Sequence, residues 1–533
     1  MPELLCEPYL LDPQPGSVYV VWHTEQPGDR HAVVTGPAVA GMTDQQAIEA
    51  ATGRAGPGWE RHEASTIRLA RTREDADSAV PGRTYETVTP RPVHRQLVHV
   101  TGLRPGRTPY RVVSIDGDRA TVSGVYTLAP SAGGPVRLLL TSDHQLQAMT
   151  PANLAKVAET VGYELDGVLA AGDLVNVPDR ASEWFGTTRG HAFFASFTGR
   201  AGPPYRGAPI LQHTPLFPAI GNHEVMGRWS DTGDLNSQFN DPRPLDVDPE
   251  GWDTTTYEEL FPYPRSGAGG PRWWSRTIGD VHLSALFVAR IWRPSSLAGR
   301  GRYQEADPAD PQRWGYGQHI YEPISQGSRQ YEWLARTLSS VDARRARYRV
   351  VMFHHSSHGV GDHAVPPFAD PVRTVHRDSS TGDVTAVTYH YPLAGDQILR
   401  DLEPLLSSAG VHLVHHGHSH LWNRFRNDAG VNWLETSNVG NSYGAHHPSS
   451  GASREVPDHP DYLRQGDPGG LAPIVPTIAP LTGPGGAALP YLASNEITAF
   501  SVLDSGAGVV RSYRFDTRQP DSEAVLFDEF PLG

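Results

Sequence analysis

The feature that most constrains how this chain folds is a set of five short apolar runs, each halted by a cluster of carboxylate, amide or imidazole side chains. Arg137-Leu-Leu-Leu-Thr-Ser runs into Asp143-His144-Gln145, and Gly167-Val-Leu-Ala-Ala-Gly into Asp173-Leu-Val-Asn176. Phe217-Pro-Ala-Ile-Gly ends at Asn222-His223-Glu224, Arg349-Val-Val-Met-Phe at His354-His355, and Val411-His-Leu-Val-His-His-Gly at His418-Ser-His420. Strands buried on both faces of an α/β sheet read as continuous apolar runs, and ligands sit at the carboxyl ends of such strands. Asp, Asn and His are the donors that hard and borderline metal ions take. The pattern predicts a sheet whose strand ends converge on a metal centre.

Around these runs, strands alternate with helical patterns from about residue 136 onward, which argues for an α/β domain over 134–533. Thr150-Pro151 is expected to open a helix carrying Leu154, Val157 and Val161 on one face. Ser328 is expected to cap a second, with Tyr331, Leu334 and Leu338 on one side, and a third is expected from Asp396 to Leu406. Residues 443–493, rich in Pro, Gly and Ser, read as a long surface loop, followed by a closing hairpin through Ile497 and Val509. Residues 1–133 show short, regularly spaced strand patterns and no chemistry, which predicts an all-β sandwich of the immunoglobulin or fibronectin kind. Two domains suit a chain of 533 residues.

Composition narrows the chemistry. A net charge of −14 argues against a nucleic-acid-binding surface, which needs basic faces. Lys156 is the sole lysine, so a Walker-type phosphate loop is excluded. The single cysteine, Cys6, forms no internal disulfide, and no basic-then-apolar leader opens the sequence. No run approaches the roughly 20 apolar residues that cross a bilayer. A cytoplasmic protein is expected, with an unrecognised export route as the alternative.

The motifs Gly172-Asp173, Gly221-Asn222-His223-Glu224, the histidine after Val-Val-Met-Phe, and Gly417-His418-Ser419-His420 stand in the order and spacing of the calcineurin-like metallophosphoesterases, which this chain resembles over roughly residues 136–516. With a β-sandwich ahead of it, the chain also resembles purple acid phosphatases, which carry a fibronectin-like N-terminal domain. The resemblance implies a four-layer α/β/β/α sandwich and a pair of divalent or trivalent ions (Fe, Mn or Zn). Asp143, Asp173 and His420 would hold the first ion, and Asp173, Asn222, His354 and His418 the second. His223 would protonate the leaving group of a small phosphorylated substrate, while a metal-bound hydroxide attacks phosphorus. A phosphomonoesterase is the first reading. A phosphodiesterase acting on a nucleotide or lipid head group is the alternative, and a degenerate phosphate-binding protein without turnover is the second alternative.

Two positions depart from the family pattern. Gln145 stands where many relatives have a histidine; side-chain alternation favours Gln145 over His144 as the residue facing the metal, although a bulge would reverse that. Asn176 stands where purple acid phosphatases have a tyrosinate, so no charge-transfer colour is expected. Plainer readings compete elsewhere: Asp143 as a turn cap, His223 as an orienting residue, His355 in place of His354. His358, His363, His415, His416, His446 and His447 read as packing residues, as residues behind the metal ligands or as solvent residues, and Trp184-Phe185 as core. Arg290, Trp292 and Arg293 read as a solvated loop before a substrate contact. Gly440-Asn-Ser442-Tyr-Gly444 matches a nucleophile elbow in letters, but no helical pattern follows it.

Overall fold

Alternation of side chains along each strand decides which layers form. A computed structural model of the chain describes residues 4–53, 56–131, 133–163, 165–225, 253–263, 269–292, 303–304, 319–362 and 368–533. In the larger of its two main sheets, Arg137–Thr141, Gly167–Ala170 and Leu216–Pro218 run parallel. The closing strands Ile497–Asp504, Val509–Asp516 and Val525–Pro531 extend this sheet antiparallel on one side. On the other side Tyr9–Gln14 pairs parallel with Leu216–Pro218 and leads into Ser17–Thr24, His94–Val100 and Ser65–Arg68.

The second sheet has a parallel centre of Val281–Ala285, Tyr348–Met352, Leu413–His416 and Asn432–Thr436. Trp274–Ile278 borders it at one edge, and Trp422–Arg426 with Tyr491–Leu492 at the other. Val350 and Met352 point into a core shared with Leu138, Leu140, Leu169 and Phe217 of the first sheet. Val351 and Phe353, one residue out of phase, lie in a second core with Leu334, Leu338, Leu402 and Leu406. Helices Arg329–Leu338 and Glu403–Ser408 therefore cover the outer face of this sheet, each buried Leu contributing on the order of 2 kcal/mol.

Ser328 caps the first of these helices, its Oγ accepting the Tyr331 N–H at 3.3 Å. The other expected cap differs. Helix Met149–Val161 starts ahead of Thr150, whose hydroxyl donates to the carbonyl of His144 at 3.0 Å instead. Trp184 and Phe185 are buried among Phe193, Phe194 and Phe261, as core rather than platform. Part of the 443–493 loop is tied down by buried Arg454, which donates to the carbonyls of Gly359, Gly361, Leu463 and Gly466.

In the N-terminal region, Val18, Val20, Trp22, Val98 and Val100 pack against Val33, Tyr110 and Val112 of a five-stranded sheet. One element departs from the all-β expectation. Helix Asp44–Thr52, opened by a Thr43/Gln46 capping box, lays Ala47, Ala50 and Ala51 over Ala32, Val34 and Val113 on the outer face of that sheet. Tyr9, Leu11 and Val21 turn the other way, into the large core. Residues before and after 133 thus share one continuous sheet. Buried Arg71 adds a charged link, with Asp179 at 3.2 Å and Asp253 at 2.9 Å. Among the described residues no helix is long and apolar enough to cross a membrane, and Cys6 is a buried free thiol.

Candidate metal centre

The five apolar runs end in one place. His354 Nδ1 meets the carbonyl of Ala171 at 2.7 Å, and His415 Nε2 that of Thr141 at 3.2 Å, so imidazoles from the second sheet bind backbone carbonyls at the strand ends of the first. Turns at these ends are unusually tight. Seven non-glycine residues have positive φ among the described residues, and six of them (Asp143, Gln145, Leu146, Asp173, His418, His420) sit here. Left-handed conformations of this kind cost on the order of 1 kcal/mol each and persist where surrounding structure enforces them, typically at functional sites.

Asp143 and Asp173 are the centre of the cluster. His354 Nε2 lies 3.0 Å from Asp173 Oδ2 and 3.9 Å from Asp143 Oδ1. His420 Nε2 lies 3.3 Å from Asp143 Oδ1, and His418 Nδ1 3.3 Å from His354 Nε2. Donor atoms of Asp143, Asp173 and His354 all fall within 4.8 Å of one another. Asn222, also buried, is bracketed by His223, whose backbone N–H donates to Asp173 Oδ1 at 2.9 Å. Among the described residues, the buried Asn222 Oδ1 has no hydrogen-bond partner. An orphaned amide oxygen carries a desolvation penalty of about 1–3 kcal/mol unless something binds it. Two carboxylates, one such oxygen and three imidazoles are donor types that borderline metal ions take, and Asp143, Asp173 and His354 are close enough together to hold one.

Electrostatics make the same demand for positive charge. Burial works against charging His354, but Asp173 and then Asp143 overcome it and raise its pKa to about 10. Burial also works against ionising Asp173, yet His354 and His223 hold it down at about 2. Around this pair, burial and the charge of Asp173 lift Glu224 to about 7, and burial lifts Glu435 to about 8. Both outer carboxylates grip the loops that carry the cluster. Glu224 accepts the backbone N–H groups of Asp173 and Leu174 at 2.8 Å each and of Gly221 at 2.7 Å. Glu435 accepts that of Ser419 at 2.8 Å.

His223 stands at the rim. Its side chain is 16% accessible, against 0% for His354 and 3% for His420. Nδ1 bonds the carbonyl of Asn176 at 2.8 Å, and Nε2 points toward Asp173 Oδ2 at 3.9 Å.

Of the paired alternatives, Gln145 faces the cluster, its Nε2 donating to Asp173 Oδ2 at 3.1 Å. His144 turns away against Phe193 and Phe197, where burial lowers its pKa to about 3. The choice between His354 and His355 dissolves: His354 takes the carboxylates, while the His355 ring packs on that of His418 at 3.6 Å, and donor atoms of all three histidines lie within 4.8 Å. No helix follows Gly440–Gly444. That stretch instead supplies residues the motif reading missed: Asn441 Oδ1 meets His420 Nδ1 at 2.5 Å, and Tyr443 stacks on the same ring. Arg293 and His363 lie outside the described residues, as do the side chains of Arg290 and Trp292 and most of 227–275 and 290–325.

No protein-family model matches the chain, and no curated protein matches it. Among solved structures, GAP50, the anchor in the inner membrane complex of Plasmodium, aligns over 74% of this chain and 89% of that one, at 10% identity and a TM-score of 0.34. So slight a likeness carries no argument about fold or function.

Proposed function

We propose that the chain is a binuclear-metal-dependent hydrolase of phosphate esters, monoesters first. The observation that carries this reading is the convergence of Asp143, Asp173, His354, His418 and His420 beside an Asn222 Oδ1 that has no partner among the described residues. The four-layer fold belongs to the same proposal, supported by two sheets sharing one core with helices on the outer face of one of them. Ions held by these six residues would supply Lewis-acid charge against the phosphoryl oxygens. Asp173, nearest both His354 and His223, is suited to hold both ions. In this reading His223 would move a proton at Nε2. Its Nδ1 is anchored on the Asn176 carbonyl, which sets the ring orientation and leaves Nε2 toward the reacting side. The lone buried thiol suits a cytoplasmic location, which fractionation of the native host would check.

The test is elemental analysis of the purified protein alongside mono- and diester chromogens. About two ions per chain and monoester cleavage are expected. Asn222→Ala should lose metal and activity together, and His223→Ala should lose about 10²–10⁴-fold in rate while keeping its metal. Full activity in both variants rejects the assignment.

A further inference from the structure

A second group of metal donors lies outside the strand-end cluster, where the 443–493 loop meets the hairpin Val372–Arg377/Val384–His390. His390 closes the second hairpin strand. His459 and Asp461 come from the loop, in a turn closed by the Tyr462 N–H on the His459 carbonyl at 3.0 Å. Pro460 occupies the second position of that turn, where its fixed φ presets the chain. The two donors are therefore presented by a stiff scaffold.

Both imidazoles converge on one oxygen. His390 Nε2 is 2.9 Å from Asp461 Oδ2, and His459 Nδ1 is 3.5 Å from the same atom. Tetrahedral ligands bonded at 2.0–2.1 Å stand roughly 3.3 Å apart, and the two separations bracket that figure. The His459 Nδ1 accepts the Asp461 backbone N–H at 3.2 Å, so this nitrogen carries no proton, and its one lone pair would pass from that N–H to an incoming ion. On its far side His390 is oriented by Tyr462 Oη, 3.1 Å from Nδ1, as ligand imidazoles are held by a contact on the nitrogen away from the metal. All three residues are partly exposed, which leaves a path for the ion and a position for water.

We infer that His390, His459 and Asp461 form a separate site for a borderline divalent cation such as Zn²⁺, which pins the loop turn at 459–462 to the hairpin. With two nitrogens, one carboxylate oxygen and an open position, the donor set matches zinc better than magnesium or calcium. The site shares no residue with the strand-end cluster, so it stands whether or not that cluster turns over phosphate esters.

The experiment measures zinc per chain after dialysis against micromolar free Zn²⁺, for the full chain, His390→Ala and Asp461→Asn. Each variant should hold one zinc ion fewer than the parent and keep whatever phosphoesterase activity the parent shows. His418→Ala, altered in the strand-end cluster, should keep the ion bound at His390. Asp461→Asn preserves side-chain volume, so it reads the site even if His390→Ala folds poorly. Equal zinc content in the parent and in a folded variant overturns the inference.

Discussion

At the scale of single residues, the site depends on side chains that touch no substrate. Glu224 fixes Asp173, Leu174 and Gly221 through three backbone N–H groups, so one carboxylate sets the position of Asp173 and of the turn leading to Asn222. Removing it leaves three buried donors without an acceptor, and one such orphan alone costs about 1–3 kcal/mol. Glu224→Ala is expected to lose about 3 kcal/mol of stability, read as a fall in urea midpoint at constant m-value, together with a large part of its bound metal. Glu224→Gln should retain more of both, because the amide oxygen still accepts. An alanine variant with the parent midpoint and full metal content contradicts this role.

At the scale of elements, the five strand ends approach more closely than side chains on every residue permit. A Cβ on Gly221 would meet the Asp173 carboxylate, and one on Gly417 would meet Ser142 Oγ and the Asp143 carboxylate. Both positions put a bare backbone against a carboxylate of the cluster. On the proposed phosphoesterase reading, Gly221→Ala and Gly417→Ala are each expected to lower kcat by about 100-fold, since displacement of about 1 Å is enough for such a loss. Far-UV circular dichroism should remain that of the parent. Unchanged turnover in both would mean that the carboxylates tolerate displacement.

The same elements show what was legible in the sequence. A run such as Leu138–Thr141 followed by Asp143 announces a buried strand and a polar end, because burial on two faces leaves a continuous apolar signature. Helix Asp44–Thr52 was missed although Thr43 and Gln46 carry its cap, since two turns of mostly small residues lack a strong apolar stripe. The Asn441–His420 contact spans residues from different loops, and the pairing of Leu11 with Leu216 joins strands about 200 residues apart. Neither leaves a local pattern, because long-range pairing is settled by packing rather than by neighbours in sequence.

At the scale of the whole molecule, charges buried between segments hold the long loop to the α/β layers. His358 lies between Asp467 of the loop, 2.8 Å from Nδ1, and Glu403 of helix Glu403–Ser408, 3.6 Å from Nε2. Burial opposes the imidazolium, but Asp467 and then Glu403 outweigh it and raise its pKa to about 9. A folded-state pKa above the unfolded value of about 6.5 means that the protonated ring stabilises the fold. That contribution is complete below about pH 6.5 and fades as pH rises through 9. The difference corresponds to about 3 kcal/mol. Thermal or urea unfolding across pH 6–10 should therefore show stability falling on the alkaline side. In His358→Gln, which keeps hydrogen bonding but cannot take a charge, that slope should flatten and the variant should be weaker at pH 6. If parent and variant lose stability in parallel between pH 7 and 9, the ring is neutral in the fold and the loop is held by its uncharged contacts, Arg454 on the carbonyls of Gly359 and Gly361 among them.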